Sequence, residues 1–374
     1  MPDRPGLDLT AADVRAGAGP ALDVRGVDVR GDDVRGDELP GLDLAALTRW
    51  FDAEQPDLRR GALAGEVLAG GRSNLTYRIS DAVSTWALRR PPLGHVLPTA
   101  HDMAREYRLI SALAPTDVPV AEPIAFCSDD AVLGAPFYLM SFVDGVVLDR
   151  PAAMRALDQD AARAVCEQLV DSLVRLHAVD PAAVGLADFG RPDGFLERQV
   201  RRWHTQWKAS RTGPPTEPDA VVAALLRRLP PPAAPGIVHG DYRLTNVIYR
   251  PDLTGIAAVV DWEMATLGDP LTDVGLLAVY QGLSLHDDLL MPRMSPADGF
   301  LTAEQMVERY TAQSGRDPAD LAWYLAFSCF KLAVIAEGIH HRYLQGKTVG
   351  PGFDRIGAAV PQLLATALEH AERS

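Results

Sequence analysis

Lysine is nearly absent from this chain of 374 residues, although Lys and Arg together number 36. The only three lysines are Lys208, Lys331 and Lys347, so a cation needed in the first 200 residues must be an arginine. The 50 acidic residues outnumber the basic ones, which gives a formal net charge of −14 and a pI near 5.1. Because phosphate backbones attract basic surfaces, this excess argues against nucleic acid as the main partner.

Cysteine is also scarce in the chain. The three cysteines are far apart and odd in number, which argues against a disulfide framework or a zinc knuckle; they are Cys127, Cys166 and Cys329. We interpret them as buried free thiols of a protein in the reducing cytoplasm.

Long apolar runs are few. Residues 1–20 contain no apolar stretch, so the sequence predicts no signal peptide. The most hydrophobic segment, Leu321 to Ile335, is interrupted by Ser328 and Lys331 and is shorter than a bilayer span requires. We therefore expect a buried helix in this segment and no membrane partner.

Residues 1–40 contain a short degenerate repeat. Three Asp-Val-Arg-Gly units occupy residues 23–26, 28–31 and 33–36. Each unit is too short and too polar to bury a hydrophobic face, and three copies make no solenoid. The low apolar content favours a disordered tail, with a tethering role as the alternative.

The rest of the chain divides into a strand-rich front and a helix-rich back. In residues 41–143, a short amphipathic helix is predicted to begin near Asp43, and alternating apolar and polar residues predict strands. These strands fall near 75–80, 85–89, 119–127 and 136–143, with a helix at 100–114. Residues 144–374 carry mainly helical patterns, among them 194–209, 303–313, 320–343 and 353–371. We predict an α+β protein with two lobes and a cleft between them.

The most informative segment is His239-Gly-Asp-Tyr-Arg-Leu-Thr-Asn246, followed by Asp261-Trp-Glu263. Asp and Asn in turns usually bond their own backbone and have no catalytic role. However, His-Gly-Asp-x-x-x-x-Asn fixes four residues, and its chance occurrence in a chain of this length is well below ~1%. A phosphoryl-transfer site needs one carboxylate to accept a hydroxyl proton, and an amide and a second carboxylate to hold Mg²⁺. The motif contains each of these groups.

The spacing between Asn246 and Asp261 fits a hairpin. Two apolar runs, 247–249 and 256–260, are joined by Pro251-Asp-Leu-Thr-Gly255, a plausible turn. Such a hairpin would bring Asn246 back towards Asp261. The sequence therefore predicts that the amide and the second carboxylate lie together.

On these residues the chain resembles the aminoglycoside phosphotransferase family, and within it the kinase-like domain fused to some acyl-CoA dehydrogenases, which acts on hydroxyacyl compounds. The resemblance covers residues 42–374. It implies a bilobal protein-kinase-like fold, in which a small antiparallel-sheet lobe (41–143) binds the nucleotide and a larger, mainly helical lobe (144–374) carries catalysis. It further implies that Asp241 is the catalytic base, that Asn246 and Asp261 bind Mg²⁺, that ATP or GTP is the donor, and that His239 and Asp273 are structural.

A nucleotide also needs backbone N–H groups and a cation at its phosphates. The turn that contains Gly70, Gly71, Ser73 and Asn74 could supply the N–H groups, although an ordinary hairpin explains a Gly-Gly pair as often. Kinases of the ordinary type place a Lys in the strand that follows, where this chain has Trp86-Ala-Leu-Arg89. Arg89 would then hold the phosphates, which is workable but not equivalent to Lys. A surface pair with Arg90 is the alternative.

The expected partner of Arg89 is Glu106. In the helix at 100–114, Met103, Glu106, Ile110 and Leu113 share one face by their spacing of three and four. A carboxylate within an apolar stripe is costly unless it is paired, which favours an inward ion pair with Arg89 over a position at the rim.

The strand at 136–143 resembles the one that meets the adenine edge in kinases. Met140 and Phe142 would meet the edge of the adenine base there through their backbone groups. A plain core strand is the alternative.

The acceptor is less defined by the sequence than the donor. The predicted helix at 195–207 carries three arginines and two tryptophans, namely Arg198, Arg201, Arg202, Trp203 and Trp207. The arginines could form a face that binds an anionic acyl or coenzyme group. We favour a solvated basic face with both tryptophans in the core. By resemblance the first choice is a hydroxyl of a hydroxyacyl-CoA or hydroxy acid. An aminoglycoside or macrolide antibiotic is the second, and a regulatory pseudokinase that binds nucleotide without turnover is the third. No pattern in the sequence sets an oligomeric state.

Overall fold

A computed structural model describes residues 39–68, 74–93, 102–213, 217–282, 294–346 and 353–374. The predicted tail lies outside these ranges except for its last two residues. Leu39 is buried in the N-terminal lobe, and Tyr77 donates its hydroxyl to the carbonyl of Pro40. The described structure of this lobe therefore begins two residues before the predicted boundary.

The N-terminal lobe is built on one antiparallel sheet of five strands in the order β1-β2-β3-β5-β4. Its elements are α1 (Leu44–Glu54), β1 (Ala64–Leu68), β2 (Leu75–Ser80), β3 (Thr85–Arg90), α2 (Met103–Leu113), β4 (Pro123–Cys127), α3 (Asp130–Leu133) and β5 (Phe137–Ser141). Asp43 caps α1, as the sequence predicted, because its carboxylate accepts the Ala46 N–H at 2.9 Å.

The strand predicted at 119–127 begins only at Pro123 in the structure. Proline has no N–H to give to a sheet ladder, so Pro119 is a poor start for a paired strand. Its carbonyl instead accepts the Val259 N–H at 2.8 Å and so ties the two lobes together.

Arg90 is buried and does not form a surface pair with Arg89. Its guanidinium donates to the carbonyls of Gly41 and Leu133, the latter at 2.8 Å. Arg90 thus fixes the start of the lobe against the sheet, whereas Arg89, the preceding residue, contacts Glu106 and Asp261.

The C-terminal lobe is mainly helical. Its helices are α4 (Pro151–Arg155), α5 (Gln159–Ala178), α6 (Phe195–Ser210), α7 (Glu217–Arg227), α8 (Leu271–Gly282), α9 (Ala303–Ser314), α10 (Leu321–Leu344) and α11 (Ala359–Arg373). Two short antiparallel pairs complete it: β6 (Gly236–Val238) with β9 (Thr266–Gly268), and the predicted hairpin of β7 (Val247–Tyr249) with β8 (Ile256–Val259). The three cysteines are free and buried, as expected.

Helix α10 has 24 residues, and its best window has a mean hydropathy of 1.4, so by length and composition it could cross a membrane. The expectation that this segment is too short to span was wrong, because the helix continues nine residues beyond Ile335. However, 72% of that window is buried inside the fold, where α10 packs against α6, α8 and α11. It is the central helix of the C-terminal lobe, as the prediction of a buried helix required.

Candidate active site

The loop 239–246 follows β6 and is held from within by His239. The imidazole Nδ1 accepts the N–H of Asp241 at 3.2 Å, which leaves Nε2 as the donor to the carbonyl of Val260 at 3.0 Å. His239 is completely buried. It therefore links the loop to the segment that carries Asp261, in agreement with the structural role implied by the resemblance.

Asp273 anchors the same loop from α8. Its two carboxylate oxygens accept the N–H groups of His239 at 2.7 Å and Gly240 at 2.8 Å, and His177 Nε2 lies 3.2 Å from Oδ2. Burial would raise the pKa of Asp273, but these hydrogen bonds outweigh it and hold the pKa below its ordinary value. An ionised Asp273 thus fixes the backbone that leads into Asp241.

The carboxylate of Asp241 receives donors on both oxygens. The Tyr280 hydroxyl donates to Oδ1 at 3.2 Å, and Asn246 Nδ2 donates to Oδ2 at 3.1 Å. The Arg243 guanidinium forms an ion pair with Oδ2, from which its Nε is 3.4 Å away. A carboxylate offers about four acceptor sites, so Oδ1 keeps room for one more donor. The chemistry of this group suits a base that accepts a proton from a hydroxyl bound beside Oδ1.

Asn246 and Asp261 are brought together by the β7–β8 hairpin. The Asn246 side chain donates to the backbone carbonyl of Asp241 at 2.8 Å, and the backbone carbonyl of Asn246 accepts the Val260 N–H at 3.0 Å. Asp261 has a left-handed backbone, with φ of 66°, and its side chain is 32% exposed. Left-handed conformations in non-glycine residues are uncommon and concentrate at functional sites.

The donor set at this position fits Mg²⁺. With Nδ2 donating, the amide oxygen of Asn246 is its remaining polar atom, and Asp261 supplies carboxylate oxygens. Mg²⁺ prefers such hard oxygen ligands and is commonly held by one or two carboxylates together with substrate phosphates. Within the described ranges no cluster of three or more His, Cys, Asp or Glu side chains forms an all-protein metal site. The oxygens of Asn246 and Asp261 suit an Mg²⁺ ion whose other ligands are nucleotide phosphates.

Arg89 joins the sheet of one lobe to the Asp261 segment of the other. Its Nε donates to Glu106 Oε2 at 2.9 Å, and its Nη2 donates to Asp261 Oδ1 at 2.8 Å. Burial would lower the pKa of Arg89, but these two carboxylates raise it above its ordinary value. The inward ion pair predicted from the spacing of α2 is present, and Glu106 is buried rather than at the rim.

Two further side chains complete this network. Tyr138 donates its hydroxyl to Glu106 Oε2 at 3.0 Å, and Asn74 Nδ2 lies 3.1 Å from both Glu106 Oε1 and Glu263 Oε2. Asn74 is almost fully buried. Its predicted contact with a phosphate remains a prediction, whereas its observed contacts connect β2 to α2 and to the segment after Asp261.

The other predicted nucleotide residues are only partly described. Gly70, Gly71 and Ser73 lie outside the described residues. Met140 is half-buried in β5 and pairs with Ala87 of β3, and Phe142 follows the strand with the Arg78 guanidinium 4.9 Å from its ring centroid. Both contacts lie within the N-terminal lobe, and the place of these two residues beside a nucleotide base stays a prediction.

Some groups at the site escaped the sequence reasoning. Arg243 and Glu263 lie inside the quoted motifs and could have been singled out as charges next to the key residues. Tyr138 and Tyr280 had no sequence signal, because a tyrosine in an apolar segment is usually a core residue. The arginines of α6 are exposed, while Trp203 and Trp207 are buried, so the favoured interpretation of that helix is confirmed.

A small antiparallel-sheet lobe above a helical lobe, with Arg89, Asp241, Asn246 and Asp261 at their junction, defines a kinase-like fold. Residues 64–324 match the family model described as "Phosphotransferase enzyme family". The chain therefore belongs to this phosphotransferase family.

The chain is also similar to individual proteins and solved structures. "Acyl-CoA dehydrogenase family member 10" of Mus musculus is 33% identical over 310 residues, which are 81% of this chain but only 29% of that relative. A crystal structure from Ralstonia eutropha, named "putative aminoglycoside phosphotransferase", is 31% identical with a TM-score of 0.76, and the match covers 88% of this chain and 98% of that one.

A ternary complex of aminoglycoside phosphotransferase APH(4)-Ia with AMP-PNP and hygromycin B shares the fold. Its TM-score is 0.55 at 14% identity, over 87% of this chain and 98% of that one. The chain thus spans nearly the whole of the solved kinase-like structures, and less than a third of the mouse relative.

Proposed function

We propose that this protein transfers the γ-phosphoryl group of ATP to a hydroxyl group of a small molecule. The observation that carries the proposal is the position of Asp241. Its carboxylate is oriented by Tyr280 and Asn246 and keeps one acceptor site on Oδ1. Its loop contains Asn246 and is linked through His239 to the segment that carries Asp261.

In the proposed reaction, Asp241 accepts the proton of the acceptor hydroxyl. The acceptor oxygen forms a bond to the γ-phosphorus as the bond from that phosphorus to the β–γ bridging oxygen breaks, and ADP leaves. Most analyses of phosphoryl transfer find a loose transition state, so positioning and charge stabilisation supply most of the rate enhancement. Arg243, next to Asp241, adds a positive charge on the acceptor side of the transferred group.

Asn246 and Asp261 would hold Mg²⁺. When bound, the ion would neutralise negative charge on the phosphate oxygens of the nucleotide. In the structure Asp261 instead pairs with Arg89. We therefore infer that nucleotide binding redistributes this contact, with Arg89 turning towards phosphate while it keeps Glu106.

ATP is the proposed donor, with GTP as the alternative. Solved relatives of the same fold were obtained with AMP-PNP and with GDP, which supports a nucleotide in the cleft and leaves the base open. Arg89, positioned by Glu106, and the N–H groups of the turn with Gly70, Gly71, Ser73 and Asn74 would hold the phosphates. Met140 and Phe142 would flank the base.

For the acceptor we favour a hydroxyacyl-CoA or a related hydroxy acid. The support is the set of relatives named as acyl-CoA dehydrogenase family members, which are 29–33% identical over at least 81% of this chain. Because the chain spans only 29–44% of those relatives, their dehydrogenase names describe proteins with more than this unit.

An aminoglycoside or macrolide is the second candidate acceptor. It is favoured by the Ralstonia eutropha structure named as a putative aminoglycoside phosphotransferase, and by the fold shared with a macrolide 2′-phosphotransferase. The positive charge of Arg243 beside Asp241 disfavours a polycationic acceptor at this position.

A broad acceptor screen tests the proposal. The protein is incubated with Mg-ATP and, separately, with hydroxyacyl-CoA thioesters, free hydroxy acids, aminoglycosides and macrolides, and phosphorylated products are detected by mass spectrometry. We expect transfer to a hydroxyacyl compound. Stabilisation by Mg-ATP without transfer to any acceptor class would instead support the nucleotide-binding pseudokinase.

A further inference from the structure

One buried charge near the loop is not used by the proposed mechanism. Lys331 lies in the middle of α10 and is 7% exposed. Its ammonium donates to the carbonyl of Gly240 and lies 5.4 Å from the ring centroid of Trp203. Within the described ranges no carboxylate forms an ion pair with it. A buried ammonium without an ion pair is costly, and an apolar side chain at this position of a core helix would avoid that cost.

The carbonyl that Lys331 contacts belongs to the peptide that leads into Asp241. Gly240 has φ of +83°, and a Cβ added there would lie 2.7 Å from the carbonyl oxygen of Met264, so its backbone has a conformation that only glycine fits. The N–H of Gly240 is held by Asp273 at 2.8 Å, and its carbonyl is held by Lys331. The two peptide groups on either side of Gly240 are thus fixed by charged side chains from two different helices.

The charges around Lys331 are consistent with this arrangement. Asp241 and Asp273 face it from the loop and from α8, and Arg202 faces it from α6. Burial lowers the pKa of Lys331, and the two aspartates oppose that shift.

We propose that Lys331 is a positioning residue for phosphoryl transfer: through the Gly240 carbonyl it fixes the peptide plane that sets the direction of the Asp241 carboxylate. This inference rests on the proposed function. Lys331 touches neither nucleotide nor acceptor in this scheme, so its loss acts on the chemical step and leaves nucleotide binding unchanged. A misplacement of about 1 Å at a reacting group lowers rates by roughly a hundredfold.

The test compares Lys331→Met, Lys331→Gln and the control Lys208→Met, which removes an exposed lysine of α6. For Lys331→Met we expect kcat to fall by roughly a hundredfold, with the KM for ATP within about threefold of wild type and a Tm equal to or above that of wild type. Lys331→Gln keeps an N–H donor but is shorter and neutral, so it should recover about tenfold of the lost kcat and stay roughly tenfold below wild type. Lys208→Met should match wild type.

The outcomes separate this inference from the proposed function. If wild-type protein transfers no phosphoryl group, the proposed function fails first. If wild type is active and Lys331→Met keeps kcat within about threefold, or if Gln and Met reduce kcat equally, the positioning role is wrong. Should the Met variant not fold, the comparison of Lys331→Gln with wild type decides: unchanged kcat contradicts the role, and a reduced kcat with unchanged KM for ATP supports it.

Discussion

Arg89 and Asp261 are joined across the two lobes by a hydrogen bond of 2.8 Å from Nη2 to Oδ1. The same guanidinium holds Glu106 at 2.9 Å, so one side chain links the sheet, α2 and the segment after β8. A lysine has a single ammonium nitrogen and could not contact the two carboxylates through separate nitrogens. This difference explains why an arginine, and not a lysine, occupies this position of the strand.

Replacing Arg89 tests this link. Arg89→Met leaves Glu106 buried without its cation, and breaking a buried pair in this way costs about 3–5 kcal/mol. We expect a markedly lower Tm and a nucleotide Kd raised at least about tenfold. The Tm and the Kd of Arg89→Lys should lie between those of wild type and Arg89→Met. Thermal unfolding with and without Mg-ATP measures both effects, and Arg49→Met, an exposed change on α1, is the control. Unchanged nucleotide affinity in the Met variant would contradict the role of Arg89.

Replacing Asn246 tests the metal site. Asn246→Ala removes one of the two proposed oxygen ligands, so the free Mg²⁺ concentration for half-maximal activity should rise at least about tenfold. Asn246→Asp keeps an oxygen at the same place. It should therefore reach half-maximal activity at a lower free Mg²⁺ concentration than the Ala variant. Activity is titrated with Mg²⁺ at constant ATP, and excess EDTA should abolish the activity of wild type. A Mg²⁺ dependence identical in Asn246→Ala and wild type would remove Asn246 from the metal site.

Tyr280→Phe removes one donor from Asp241 and keeps the buried ring. Hydrogen bonds to charged groups contribute about 1.5–3 kcal/mol, so we expect kcat to fall by about tenfold or more. The matched control is Tyr249→Phe, which removes a buried hydroxyl that bonds the Val165 carbonyl at 3.1 Å. Equal kcat values in the two variants would show that the Tyr280 hydroxyl has no effect on Asp241.

The His177–Asp273 contact predicts a pH dependence of stability. Burial lowers the pKa of His177 below its ordinary value of 6.5, so the unfolded chain takes up the proton first as pH falls. The contribution of neutral His177 is thus fully present above about pH 6.5 and is lost as pH falls through its folded-state pKa. The Tm difference between wild type and His177→Gln should shrink from pH 7.5 to pH 5. His204→Gln, a change at a half-buried histidine of α6 that contacts Asp219, is the control. A constant difference for His177→Gln contradicts the assignment.

The parts of the fold that the sequence predicted are those with a local signal. The spacing of apolar residues around Glu106 placed its carboxylate inward, and the turn at 251–255 predicted the hairpin that brings Asn246 and Asp261 together. Each of these signals lies within about 20 residues of chain, where periodicity and turn chemistry act directly.

Helix α8 shows why the rest escaped prediction. Every residue from Leu271 to Gln281 is buried, so no polar face alternates with an apolar one and the period of 3.6 residues is not visible. Tyr280, on this helix, was missed for the same reason. The contact of Lys331 with Gly240 joins residues 91 positions apart, and no local pattern encodes such a pairing.

The central claim is that Asp241 accepts the proton of the acceptor hydroxyl, and Asp241→Asn tests it most directly. The amide keeps the size of the carboxylate but accepts no proton at neutral pH, so turnover should fall by about 10²–10⁴-fold, while the Kd for Mg-ATP stays close to that of wild type. Transfer at a near-normal rate by the folded Asp241→Asn variant would contradict the account.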